Sequence, residues 1–216
     1  MEKPCPYTDL YRLFRRCLYA HYIHGAQSAD YAIEESGSRL YLLFECSNGG
    51  EDWKSNLNFP ARAYKNGGKT WYAHRGFLAV WRAIRDRIEA AVTARVAEGG
   101  LREIICVGYS HGAALSGLAT EDMAFLFGDR VSVCGYGFGC PRFAFGPLPR
   151  EVEERFSRFS VIRNIPDAVT HLPPAALGYH HVGHMYTVGE AGKYSPIDAH
   201  RPESYLAELA RNNKKS

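Results

Sequence analysis

The sequence predicts an α/β fold, with a mainly parallel central sheet and helices on both faces, built as a single domain over residues 1–216. Three observations lead there. Strand-like apolar runs alternate with helical patterns along the chain. Leu40-Tyr41-Leu42-Leu43-Phe44 is apolar throughout, as expected of a strand covered on both faces. A further apolar run, Ile104 to Val107, leads straight into Gly108-Tyr109-Ser110-His111-Gly112 and a helix of small residues.

Thr8 can cap a first helix running to about Ala26, with Leu10, Phe14, Cys17, Leu18 and Ile23 as its apolar stripe. Strands over Tyr31–Ile33 and Leu40–Cys46 follow, joined by a turn at Ser36-Gly37-Ser38, and then a polar loop from Ser47 to Trp53. Pro60 to Lys69 is polar, basic and glycine-containing, with no amphipathic pattern. From Gly76 to about Ala97 the spacing of Phe77, Val80, Trp81, Ile84, Ile88, Val92 and Val96 predicts one helix, with Arg82, Arg85, Asp86 and Glu89 facing away; Gly99-Gly100 ends it. Beyond the Ser110 turn come a strand over Val131–Phe138, a short helix near Pro149–Ser157, strands over Phe159–Ile165 and Val182–Val188, and a last helix from Pro202.

Lys and Arg number 26 against 23 acidic residues, and the net charge of +3 is spread along the chain, which argues against a nucleic-acid binder. None of the six cysteines has the Cys-x₂-Cys spacing of a zinc site. No apolar leader core follows Met1, and no run approaches membrane-spanning length. The expectation is a cytoplasmic protein with reduced thiols and no stable membrane insertion. Its oligomeric state is not legible.

A serine between two glycines on a strand-to-helix turn sits in a strained backbone with its hydroxyl lifted, facing the free N–H groups of the helix. Such a serine can act as a nucleophile if a base and an orienting acid reach it. Asp167, just past an apolar strand, is a well-placed acid. For the base, His171, His180, His181, His184 and His200 all lie downstream. The cluster at 180–184 has no carboxylate or cysteine to complete a metal set, so no metal or other cofactor is expected. Of the aromatics after the next strand, Phe143 and Phe145 are candidates to line a substrate pocket, while Tyr136 and Phe138 read as strand core.

Several ordered stretches resemble the class 3 lipase family, the fungal-type lipases and, more closely, their bacterial relatives. Tyr41 to Ser47 with Asp52-Trp53 and Leu57, His74-Arg75-Gly76-Phe77, Gly108 to Gly112, Gly137 to Arg142, Asn164 to Val169 with Leu172-Pro173, and His200 with Ser204-Tyr205 fall in the family's order over about residues 10–210. The resemblance implies an α/β-hydrolase-type fold and hydrolysis of carboxylic esters through an acyl-enzyme. It assigns Ser110 as nucleophile, Asp167 as acid and His200 as base, with the backbone N–H of His111 and Ser47 as oxyanion donors and His74 as structural. The implied partner is a small-molecule or lipid ester. The same chemistry also admits an acyltransferase or phospholipase, and a non-catalytic binding relative is the alternative of a different class. Four features depart from the family pattern: Glu45-Cys46 stands for Arg-Gly, Tyr109 stands for the usual histidine of the turn, His200 is followed by Arg201-Pro202-Glu203 before Ser204-Tyr205, a longer spacing than in the fungal enzymes, and Pro60 to Lys69 lacks the apolar face of a lipase lid. Short or soluble esters are therefore the expected substrates.

Overall fold

The computed structural model describes residues 7–25, 29–45 and 60–213. Its frame is a seven-stranded sheet in the order β1-β2-β3-β6-β7-β9-β11. The strands are β1 (Ile23–His24), β2 (Asp30–Ser36), β3 (Arg39–Phe44), β6 (Glu103–Tyr109), β7 (Ser132–Phe138), β9 (Phe159–Asn164) and β11 (His184–Val188). From β3 to β11 every pairing is parallel, and β2 and β1 add an antiparallel edge. The mainly parallel sheet with helices on both faces stands as read from the sequence.

Each face carries its own core. On one side α2 (Arg75–Ala97) and α3 (His111–Phe127) bury Trp81, Ile84, Ile88, Leu115, Leu118 and Met123 against Leu40, Leu42, Ile104 and Cys106. On the other, α1 (Tyr7–Leu18) and α5 (Pro202–Asn213) pack Leu10, Phe14, Tyr205 and Leu209 against Leu43, Ile105, Val107 and Phe138. Alternate residues of each central strand thus serve opposite cores, which is why those strands carry so few polar residues. α3 is buried nearly all round, so it shows no one-sided apolar stripe.

A second sheet lies beyond α2. β4 (Ala61–Asn66) and β5 (Lys69–His74) form a hairpin, and β8 (Ala144–Phe145) and β10 (Tyr179–His180) extend it in the order β10-β8-β5-β4. The stretch read as patternless, 60–69, is therefore mostly a strand and its turn. Its inward residues are Tyr64 and Asn66, and polar groups in those places leave no apolar alternation to detect. The first helix also stops earlier than its periodicity implies, at Leu18, because Ile23 pairs with Tyr31 at the sheet edge.

The hairpin is tied to the back of α3 by a buried polar cluster. Asp122, fully buried, accepts from Tyr64 Oη, from Asn66 Nδ2 at 2.7 Å and from Trp81 Nε1 at 2.7 Å, with Arg85 Nε at 3.1 Å. Its buried neighbour Glu121 takes Asn66 Nδ2 at 2.9 Å and Arg155 Nε at 2.6 Å, the latter from the end of α4 (Arg150–Arg155). Buried charge persists only when satisfied in this way.

Candidate active site

The site grows out of the junction between β6 and α3. Ser110 has φ 55° and ψ −120°, and among the described residues it is the only non-glycine with a positive φ. The turn is possible because the residues two places to either side lack side chains. A Cβ on Gly108 would lie 2.0 Å from the carbonyl oxygen of Gly112, and one on Gly112 would lie 2.3 Å from that of Phe44. The Ser110 N–H donates to Phe138 O at 2.9 Å, which anchors the turn to the end of β7.

Parallel strands end side by side, so the loops leaving β6, β7 and β9 converge. The loop after β9 brings Asp167, fully buried, and the 3-10 turn Asp198–His200 before α5 brings His200. Ser110 Oγ lies 2.7 Å from His200 Nε2, and His200 Nδ1 lies 2.8 Å from Asp167 Oδ2. The three residues picked out in the sequence thus form one hydrogen-bonded chain.

The acid is held from several sides. Tyr205 Oη donates to Asp167 Oδ2 at 2.6 Å, the N–H of Val169 donates to Oδ1 at 2.9 Å, and Thr170 Oγ1 donates to the Asp167 carbonyl at 2.8 Å. Asn164 Nδ2 donates to Ala199 O at 2.9 Å, fixing the turn that bears His200. Gly139, which sequence reasoning did not single out by itself, closes the site from the β7 side. With φ +59°, its missing Cβ would stand 3.0 Å from His200 Cε1 and 3.2 Å from Asp167 Oδ2. Its one signal in the sequence is its place in the Gly137 to Arg142 stretch of the family resemblance.

The remaining candidates fall differently. His111 opens α3, so its backbone N–H is one of those with no acceptor inside the helix. Its imidazole is 5.2 Å from Phe77, and burial, with His74 nearby, pushes its pKa down to about 4. His74 caps α2 by accepting from the Gly76 N–H at 3.2 Å; burial pushes it down to about 4 as well. Ser47 lies outside the described residues, as do Cys46 and the Asp52-Trp53 stretch. Phe143 is a correction. It is wholly buried beside Gly117, edge-on to Phe156 and Phe159, in the core rather than along a cleft. Phe145 is half-buried in β8 against Tyr179. Phe138 is core, as read.

His180 Nε2 lies 2.8 Å from Gly146 O and His181 Nε2 lies 2.9 Å from Thr170 O, so both rings are engaged by backbone carbonyls. Among the described residues no group of three His, Cys, Asp or Glu is gathered to hold a metal. Cys106 and Cys140 are buried, and burial pushes both thiols up, Cys106 to about 12, which makes them poor nucleophiles.

Residues 41–177 match the family model described as Lipase (class 3). Curated relatives include the secreted mono- and diacylglycerol lipase A of Penicillium cyclopium, 26% identical over 159 residues, which are 73% of this chain and 50% of that one. The lipase of Rhizomucor miehei is 26% identical over 172 residues, 74% of this chain and 45% of that one. The chain spans about half the length of these relatives. Among solved structures, the Rhizomucor miehei triacylglyceride lipase superposes with a TM-score of 0.65 at 21% identity, covering 85% of this chain and 78% of that one. Lipase II from Rhizopus niveus gives 0.67 at 20%, covering 79% and 66%.

Two expectations change. The matching curated relatives named here are fungal, so a closer tie to bacterial relatives has no support. The cytoplasmic assignment is overturned by relatives named as secreted lipases, from Penicillium, Fusarium solani and Malassezia globosa. The thiols are a poor guide to compartment, because ones as buried as Cys106 and Cys140 are shielded from oxidants wherever the protein resides. No helix among the described residues is long and apolar enough to cross a membrane.

Proposed function

We propose, given that this chain belongs to the class 3 lipase family, that it is a serine ester hydrolase working through an acyl-enzyme on Ser110. The observation that carries this reading is the unbroken chain Ser110 Oγ, His200 Nε2, His200 Nδ1, Asp167 Oδ2, with both links under 3 Å. In this reading His200 Nε2 takes the hydroxyl proton as Ser110 Oγ attacks the ester carbonyl carbon. Asp167 keeps the proton of the imidazole on Nδ1 and stabilises the imidazolium that forms. The tetrahedral oxyanion falls to the backbone N–H of His111 at the head of α3, with Ser47 as second donor. Collapse expels the alcohol, which takes its proton from His200, and water, activated by the same imidazole, releases the acid.

The substrate we propose is a short or soluble carboxylic ester. Support comes from the hairpin where the family resemblance placed a lid. Its exposed residues include Arg62 and Lys65, and its inward Tyr64 and Asn66 are spent on hydrogen bonds to Asp122 and Glu121, so β4 offers little apolar surface to a lipid interface. The test is hydrolysis of a chain-length series of p-nitrophenyl esters by wild type and Ser110→Ala. Turnover that peaks at short chains and vanishes in the variant is expected; a rate jump on emulsified long-chain triglyceride would refute the preference.

A further inference from the structure

Tyr109 is the last residue of β6, one step before Ser110, and it stands where the family resemblance leads one to expect histidine. Its side chain turns to the α1/α5 face and is almost fully buried. The ring lies nearly parallel to the His200 imidazole, with centroids 5.3 Å apart at 24°. Its far edge meets Phe14 at 5.4 Å and 71°, and Tyr205 at 6.2 Å and 69°. The hydroxyl donates to the backbone carbonyl of His200.

We propose that Tyr109 is a positioning residue that ties the base to the nucleophile through one short path. The hydroxyl fixes the backbone of His200 and the ring supports the face of its imidazole, while the Tyr109 backbone leads directly into the strained Ser110. The His200 turn is also held from the β9 side, through Asn164 and Asp167. A phenol has the length to span from the strand end to that carbonyl; an imidazole at the same position is shorter and cannot make the same bond. The inference rests on the reading of Ser110, His200 and Asp167 as a catalytic set.

The experiment compares wild type with Tyr109→Phe, which keeps the ring and the packing and removes only the donor. With a short soluble ester, kcat falls about tenfold while KM stays within about twofold, because misplacement of the base affects the reacting geometry and not the binding of the ester. The downfield proton resonance of His200 Nδ1 broadens in the variant. In the wild type, the Tyr109 hydroxyl proton exchanges slowly and shows a nuclear Overhauser contact with the His200–Arg201 peptide, a readout that needs no variant. Wild-type kcat and a sharp Nδ1 signal in Tyr109→Phe would overturn the inference and leave the catalytic reading intact. So would a fast-exchanging hydroxyl in the wild type. A wild type that neither turns over esters nor reacts with a fluorophosphonate would overturn both.

Discussion

Two aspartates are fully buried, Asp122 within α3 and Asp167 in the loop after β9, and their partners set their roles. Asp122 is surrounded by donors from two neighbouring elements, Tyr64 and Asn66 of β4 and Trp81 and Arg85 of α2, all packed in place. Burial raises its pKa to about 7 against the pull of those donors. Asp167 is gripped just as firmly by Tyr205 and the Val169 N–H, but it also faces His200, whose ring reaches out of the core to Ser110. A carboxylate whose every partner is fixed can only hold elements together. One whose partner is a titratable ring touching a hydroxyl can pass the effect of its charge to a reacting atom. Burial alone does not separate these cases; the chemistry of the last partner does.

The sharpest way to break the comparison is to neutralise each aspartate in turn. Asp167→Asn is expected to lower kcat on a soluble ester by about 10⁴-fold with little loss of stability, whereas Asp122→Asn is expected to keep kcat near wild type in folded protein. Steady-state kinetics beside chemical denaturation checks both, and equal kinetic losses would remove the distinction.

A smaller effect probes the structural cluster by itself. Tyr64→Phe withdraws a buried donor from Asp122 and should cost about 1–3 kcal/mol, read as a lower denaturation midpoint at unchanged slope.

Acid sharpens the contrast further. Burial holds His74, His111 and His181 down at about 4. Each therefore contributes stability that is present above about pH 6.5 and lost as pH falls toward 4. Asp122, raised to about 7, runs the other way: its contribution is present below its unfolded value and lost as pH rises through 7. With three groups against one, stability should fall between pH 6.5 and 4, and Asp122→Asn should make that fall steeper. Urea titrations at several pH values measure both slopes.

The mildest change is Gly139→Ala. It forces a side chain into a positive φ and sets a methyl group beside the His200–Asp167 hydrogen bond. A stability cost of about 1 kcal/mol should accompany a loss in kcat that exceeds what that cost explains, seen by measuring Tm and kcat on the same preparation.

How much of this was legible in the sequence depends on how local the cause is. The turn at Ser110 is set by glycines two residues away on either side, so its shape follows from a few neighbouring residues. The apolar run of β3 likewise declares a doubly covered strand. Asp167 and His200 are joined to Ser110 only by the convergence of strand ends, and spacing left five histidines open; the family resemblance narrowed them. The hairpin at β4 and β5 was missed because its inward residues answer a buried carboxylate rather than an apolar core. Arg85 was assigned to the outer face of α2 by periodicity, which gives a direction but not the partner waiting at the helix edge. Phe143 shows the same limit, since an aromatic after a strand reads alike whether it lines a cleft or fills the space above Gly117.

The central claim is that Ser110 is a nucleophile activated by His200. Its most direct test is reaction with a fluorophosphonate followed by peptide mass spectrometry. The account predicts one adduct per chain, on Ser110, formed by wild type and absent in His200→Ala, which keeps the serine but lacks the base. Folded wild type that stays unlabelled, or that carries its adduct on another residue, would contradict it.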